Sequence, residues 1–200
     1  MPDYSVENEL HSKGYNIVCG VDEAGRGPLA GPVCAAAVIL EPDTVIEGLN
    51  DSKKLSEKKR EALYDVIIEK AKACAVTLVD NQRIDEINIL EATFEAMEQS
   101  VDDLKIRPDC AIIDGNRTPK HISVPCVTVV KGDSISMSVA AASILAKVTR
   151  DRLMYELAKV YPEYQFEKHK GYGTALHCEL LRKFGPCDIH RASFLKKILK

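Results

Sequence analysis

Apolar positions fall along the chain in two patterns. Short unbroken runs at 16–21, 33–40, 74–79 and 110–113 predict strands, and 33–40, rich in Ala and Val without polar alternation, predicts one buried on both faces. A fifth strand is predicted over 124–130, with Pro125 near its start, where a missing N–H is tolerated. Longer segments repeat at helical spacing: 57–73 behind Ser56 as N-cap, and 83–104 with Ile84, Ile87, Leu90, Phe94, Met97 and Val101 on one face. The segment 134–157 is apolar almost all round as far as Leu145, which predicts a central buried helix. Beyond Tyr161 come a loop (162–173), a helix capped by Thr174, a Gly185-Pro186 stop and a basic final helix. The order β-β-α-β-α-β-β-α predicts an α/β fold: a mixed five-stranded sheet, opening with an antiparallel pair and flanked by helices. One domain is expected over 1–200, with 161–200 as a helical C-terminal appendage.

Composition narrows the class. Hydrophobic residues make up 46% and charged residues 28%, the balance of a globular chain with a real core. The longest apolar run is far too short to span a bilayer, and the polar, acidic N-terminus is neither signal nor transit peptide, so no membrane partner is expected. Seven cysteines without a C-x-x-C pair, five of them inside apolar runs, point to a reducing, cytoplasmic location and away from a disulfide or zinc framework. The net charge of −3 hides an asymmetry: 17 basic against 24 acidic residues in 1–150 give −7, whereas 10 against 6 in 151–200 give +4. Basic groups also cluster at 52–60, 147–152 and 168–170. Each cluster alone is an ordinary solvated face; several beside an acidic pocket suit a polyanion.

That pocket is foreshadowed by Asp22-Glu23 and Asp114. Each closes an apolar run, and each is followed at once by glycine-containing chain, Ala24-Gly25-Arg26-Gly27 and Gly115-Asn116. Strands that run out into an acid and a turn deliver carboxylates to the sheet edge where open α/β folds bind ligands. Oxygen-rich pockets of this kind select hard divalent cations. Asp22 as a mere turn cap is the competing reading. Neighbours in an extended chain face opposite ways, so Glu23 either serves a second cation or lends only its carbonyl. Asp133, in Lys131-Gly132-Asp133-Ser134, is either a fourth carboxylate or a helix N-cap.

A series of blocks then narrows the alternatives. Asp22-Glu23-Ala24-Gly25-Arg26-Gly27-Pro28-Leu29-Ala30-Gly31-Pro32 resembles the opening motif of the type 2 ribonucleases H, the ribonuclease HII family. Asn50-Asp51-Ser52-Lys53-Lys54-Leu55, Asp114-Gly115, Lys131-Gly132-Asp133, Ala140 through Asp151, His169-Lys170-Gly171-Tyr172-Gly173-Thr174 and His190-Arg191-Ala192-Ser193-Phe194 follow in the family's order. The resemblance implies a ribonuclease H-like fold and cleavage of the RNA strand of RNA–DNA hybrids, including one ribonucleotide embedded in duplex DNA. It implies Asp22, Glu23, Asp114 and Asp133 as catalytic metal ligands for two Mg²⁺ or Mn²⁺ ions, which clamp an in-line displacement. It assigns Gly25, Arg26 and Gly27 to recognition of the 2′-hydroxyl, Tyr172 to the sugar of the next nucleotide, and Ser52, Lys53, Ser143 and Lys147 to phosphates. Cleavage on the 5′ side, leaving 3′-hydroxyl and 5′-phosphate ends, is implied with them.

Several residues carry a plainer reading beside this one. Tyr172 suits a loop aromatic over the core, and Arg26 suits a surface ion pair. Lys147, on a buried helix, must reach solvent, substrate or an acid, because an unpaired buried ammonium is costly. His169, His177 and His190 lack metal-ligand spacing and are expected to be structural or phosphate-facing. A monomer is expected, and the short segment before Asp22 favours type 2 over the type 3 relatives.

Overall fold

The computed structural model describes residues 1–196 and Ile198. Five strands form one sheet in the order β3-β2-β1-β4-β5. They are β1 (Val18–Ala24), β2 (Val33–Ile39), β3 (Ala73–Val79), β4 (Cys110–Asp114) and β5 (Cys126–Val129). β1–β2 and β2–β3 run antiparallel, β1–β4 and β4–β5 parallel, so the mixed sheet expected from the sequence is the one observed. β1 runs two residues past Glu23's own neighbour Asp22, to Ala24, because β2 keeps pairing with it as far as Ala24 opposite Cys34. The acidic pair therefore lies inside the strand, held by the sheet, and not in the turn that follows it.

β2 is buried along its whole length. Its even-numbered residues, Cys34, Ala36 and Val38, pack against α2 (Glu57–Lys70) and α4 (Met137–Val160). Its odd-numbered residues, Val33, Ala35, Ala37 and Ile39, pack against α3 (Asn81–Asp102) on the other face. Small side chains suit this middle layer. At Gly20 of β1 the approach is closer still: a Cβ there would stand 2.2 Å from the backbone of Ser138 and Val139, so only glycine lets α4 lie on the sheet.

Several details differ from the sequence expectation, among them a helical turn at Phe166–His169 inside the stretch 162–173 expected as a loop. A first helix, α1 (Ser5–Ser12), docks through the buried Glu7, whose carboxylate accepts from Ser136 and Ser138 at the start of α4. Its polar surface hides this anchoring from a periodicity argument. α3 is broken at Asn88 (φ 71°, ψ 162°), whose side chain then caps the next turn by accepting from the N–H groups of Leu90 and Glu91. The central helix starts at Met137 behind Ser136, preceded by a 3₁₀ turn at Gly132–Ser134 that carries Asp133. The last helix is a single turn, α7 (Ala192–Leu195); the rest of the basic helix expected there falls at Lys197, Leu199 and Lys200, outside the described residues.

The C-terminal segment packs against the loop that follows β1. A short α5 (Phe166–His169) and α6 (Ala175–Phe184) enclose a cluster with Leu29, Ala30, Met154, Tyr164, Phe166 and Leu181. The main chain of Leu29 donates to Gly171 and accepts from Arg191, and Gly31 donates to Ile189. The glycine-rich loop after β1 is thus laced to residues 171–191.

Candidate active site

Parallel pairing of Val21 with Ile113 brings the C-terminal ends of β1 and β4 side by side, and with them Asp22, Glu23 and Asp114. Asp22 is buried, 3% exposed. Burial pushes its carboxyl well up from the usual range, and repulsion from Glu23 and Asp114 adds to the rise. A bond from the Ser143 hydroxyl opposes it. The Ser143 hydroxyl also lies 2.8 Å from that of Ser52. Glu23 is also raised by burial, offset by Arg26, whose Nη1 lies 3.3 Å from Glu23 Oε1.

Asp133 comes from the turn before α4. Its carboxyl is raised by burial and by Asp51, and Lys53 opposes the rise, with Nζ 3.6 Å from Asp133 Oδ2. The Asp51 and Asp133 carboxyls lie near enough to act on each other's titration. Burial pushes Asp51 up, yet the Lys53 N–H (2.9 Å) and the nearby lysines hold it below its ordinary value. Asp114 Oδ1 accepts from the Gly132 N–H at 2.7 Å, which ties the β4 carboxylate to the Asp133 turn.

Beside the carboxylates lies a cavity of about 210 Å³ lined by Glu23, Ala24, Gly25, Arg26, Gly27, Ser52, Lys53, Ser143, Lys147 and Tyr172. All eight residues that the sequence assigned to substrate are in that lining. They are not equivalent. Ser52 and Ser143 are buried and bonded to each other, whereas Lys53 is largely exposed. Lys147 pairs with Asp151 at 2.7 Å, and burial lowers its ammonium from the usual range against that pairing. The Tyr172 ring, 39% exposed, stands across from Gly27. A second cavity of about 360 Å³ meets the first at Glu23 and Arg26 and continues along Asp114, Asn116, Arg117 and the α3 residues Leu90, Phe94 and Met97.

The family model for ribonuclease HII matches residues 19–197, nearly the whole chain and every block above. The chain belongs to the ribonuclease HII family. It is 54% identical over 196 residues to a ribonuclease HII of Caldicellulosiruptor bescii, covering 98% of this chain and 95% of that one. It is 58% identical over 191 residues to a ribonuclease HII of Endomicrobium trichonymphae, covering 96% and 91%. Its fold matches the crystal structure of the ribonuclease H2 from Pyrococcus horikoshii OT3 with a TM-score of 0.75 at 30% identity, over 92% of this chain and 97% of that one. Ribonucleases HII are nucleases of the ribonuclease H class, divalent-metal-dependent hydrolases acting on RNA–DNA hybrids.

The ribonuclease HII loop is held by two residues that pattern reasoning did not single out. Arg150 and Arg191 are fully buried. Arg191 donates to the carbonyls of Gly31, Arg26 and Gly25, and Arg150 to those of Pro32, Lys170 and Ala30. Burial lowers both guanidinium groups, Arg191 to about 9. Gly25 (φ +92°) is pressed against this clamp: a Cβ would stand 2.1 Å from Arg150 Nε. Both arginines sit in the motif blocks, but nothing in their spacing shows that they turn inward. Asp51 was likewise hidden, a polar residue in a turn.

The donor set suits hard cations: four carboxylates, with Asp22 in no ion pair among the described residues and raised by its acidic neighbours. No three His, Cys, Asp or Glu side chains among the described residues converge tightly enough to form a metal cage. Each carboxylate is turned to a partner of its own: Asp22 to the Glu23 N–H, Glu23 to Arg26, Asp114 to Gly132 and Asp133 to Lys53.

Proposed function

We propose that this ribonuclease HII cleaves the RNA strand of hybrids and also a duplex carrying one ribonucleotide, with two divalent cations, Mg²⁺ or Mn²⁺, held by Asp22, Glu23, Asp114 and Asp133. The observation that carries the reading is the cavity: a carboxylate edge, a carbonyl-clamped glycine loop and an exposed aromatic ring border one space. When bound, the cations supply charge neutralisation at the scissile phosphate and an activated water. The Ser143 hydroxyl, paired with Ser52, favours the charged form of Asp22. The Gly25-Arg26-Gly27 main chain, stripped of Cβ obstruction at both glycines, approaches the ribose closely enough to meet a 2′-hydroxyl, the group that separates RNA from DNA. Arg191 orients that main chain through the Gly25 and Arg26 carbonyls. Tyr172 packs on the adjoining sugar, while Lys53 and Lys147 face phosphates. Cleavage falls on the 5′ side of the ribonucleotide and leaves 3′-hydroxyl and 5′-phosphate ends.

The acidic set is tested by Asp22→Asn and Asp114→Asn, assayed on a one-ribonucleotide duplex with Mg²⁺, Mn²⁺ or chelator. Each variant should lose cleavage by about three orders of magnitude or more while keeping its circular dichroism, as expected when a group acting on the transition state is removed. Wild-type rates in either variant would remove the metal assignment. A wild type active on long hybrids but inert on the single ribonucleotide would restrict the substrate to hybrids.

A further inference from the structure

His169, His177 and His190 take no part in the site as described, yet the fold gathers all three behind the Tyr172 loop. The rings of His169 and His177 stack at 4.3 Å, and His177 Nε2 lies 3.0 Å from His190 Nε2. The partners fix every proton in this chain. A carbonyl only accepts, so His177 Nδ1, 3.0 Å from the Tyr172 oxygen, carries a hydrogen. Neutral His177 then presents a lone pair at Nε2, and His190 Nε2 must be the donor. That leaves His190 Nδ1 bare: the Cys187 N–H donates to it at 2.9 Å and the Cys187 thiol lies 3.1 Å away, contacts shorter than the 3.3 Å approach of the Cys187 carbonyl. His169 is fixed in the same way: Nε2 donates to Tyr164 O at 2.9 Å, and Nδ1 accepts from the Gly171 N–H at 3.2 Å. Burial, which lowers all three imidazoles, agrees with their neutrality.

The relay ends on the segment that most needs support. Lys170 (φ 51°) and Gly171 (φ 83°) are consecutive left-handed residues, a backbone that persists only when its surroundings hold it. Tyr172 follows directly, its N–H donating to His169 O at 2.8 Å and its carbonyl accepting from Thr174 and His177. We propose that His177, kept in one tautomer by His190, is a positioning residue that sets where the Tyr172 ring stands in the cavity, and so tunes discrimination between a single ribonucleotide and a long hybrid. This inference rests on the reading of Tyr172 as the sugar-packing residue.

The test compares wild type, His177→Asn, His177→Phe and Tyr172→Ala by steady-state kinetics on the one-ribonucleotide duplex and on a long hybrid. Nitrogen-15 NMR of the wild-type histidine tautomers accompanies it. Asn can place an N–H where Nδ1 lies, whereas Phe keeps the ring and removes the donor. His177→Phe should lose about tenfold in kcat/KM on the single ribonucleotide, the scale of one hydrogen bond, and clearly less on the long hybrid. His177→Asn should restore most of that loss. The NMR should show the proton of His177 on Nδ1 and that of His190 on Nε2. Discrimination by Tyr172→Ala together with wild-type behaviour of His177→Phe would overturn the positioning role alone. Equal losses on both substrates in Tyr172→Ala would overturn the reading of Tyr172 beneath it. Should the Phe variant not fold, the wild-type tautomers still decide: a His177 proton on Nε2 would break the relay.

Discussion

Arg191 shows how much one buried side chain decides in this site. Three of its donors end on carbonyls of the glycine loop, and among the described residues it forms no ion pair with a carboxylate. The geometry is that of a planar fork, which an ammonium on a flexible stem does not reproduce. Arg191→Lys should therefore cost about 2 kcal/mol of stability through carbonyls left without donors, and lower kcat on ribonucleotide substrates more than it raises KM. Chemical denaturation and steady-state kinetics check both; unchanged kcat in a folded variant would separate the loop's geometry from the chemistry. At this scale the sequence was partly legible. Asp22, Glu23 and Asp114 announce themselves because strand–acid–glycine punctuation is local. Ser52 and Ser143 stand 91 residues apart, and only the folded chain shows that they bond to each other.

Among the elements, the pairing of β1 with α4 carries the site. The buried α4 brings Ser143, Lys147 and Arg150 to the cavity side, one helical turn after another, and it can lie that close only over Gly20. Gly20→Ala would thrust a methyl into the backbone of α4, where no side chain can move aside. A loss of about 3 kcal/mol is expected in urea unfolding, the upper range for overpacking a dense core. A variant as stable as wild type would show that α4 shifts without cost. Element types and order were readable from periodicity, since 33–40 and 134–145 are apolar beyond what any exposed strand or helix carries. α1 was not, because its anchor is a buried glutamate, which pattern counts as polar.

In the molecule as a whole, the stretch 151–200, with its net charge of +4, is tied to the rest of the fold. It wraps the glycine loop and buries its histidines beneath it. His177 and His190 titrate at about 4 in the fold, against an ordinary 6.5. The unfolded chain therefore binds protons first as pH falls, so their contribution is complete above about pH 6.5 and is lost progressively toward pH 4. The raised carboxyls of Asp22, Glu23 and Asp133 act with the opposite sign, which a difference measurement removes. The gap in unfolding free energy between wild type and His177→Phe should shrink across that window. A gap independent of pH would mean that His177 titrates normally.

By itself the sequence determined the elements, their order, the carboxylates at two strand ends and the blocks that mark a ribonuclease HII, because each is encoded within a few neighbouring residues. Tertiary structure alone decided which polar groups turn inward: Arg150 and Arg191 under the loop, Ser52 on Ser143, Asp51 beside Asp133, and the histidine relay behind Tyr172. Those choices rest on partners distant in sequence. A buried donor or acceptor is tolerable only where the fold supplies its complement.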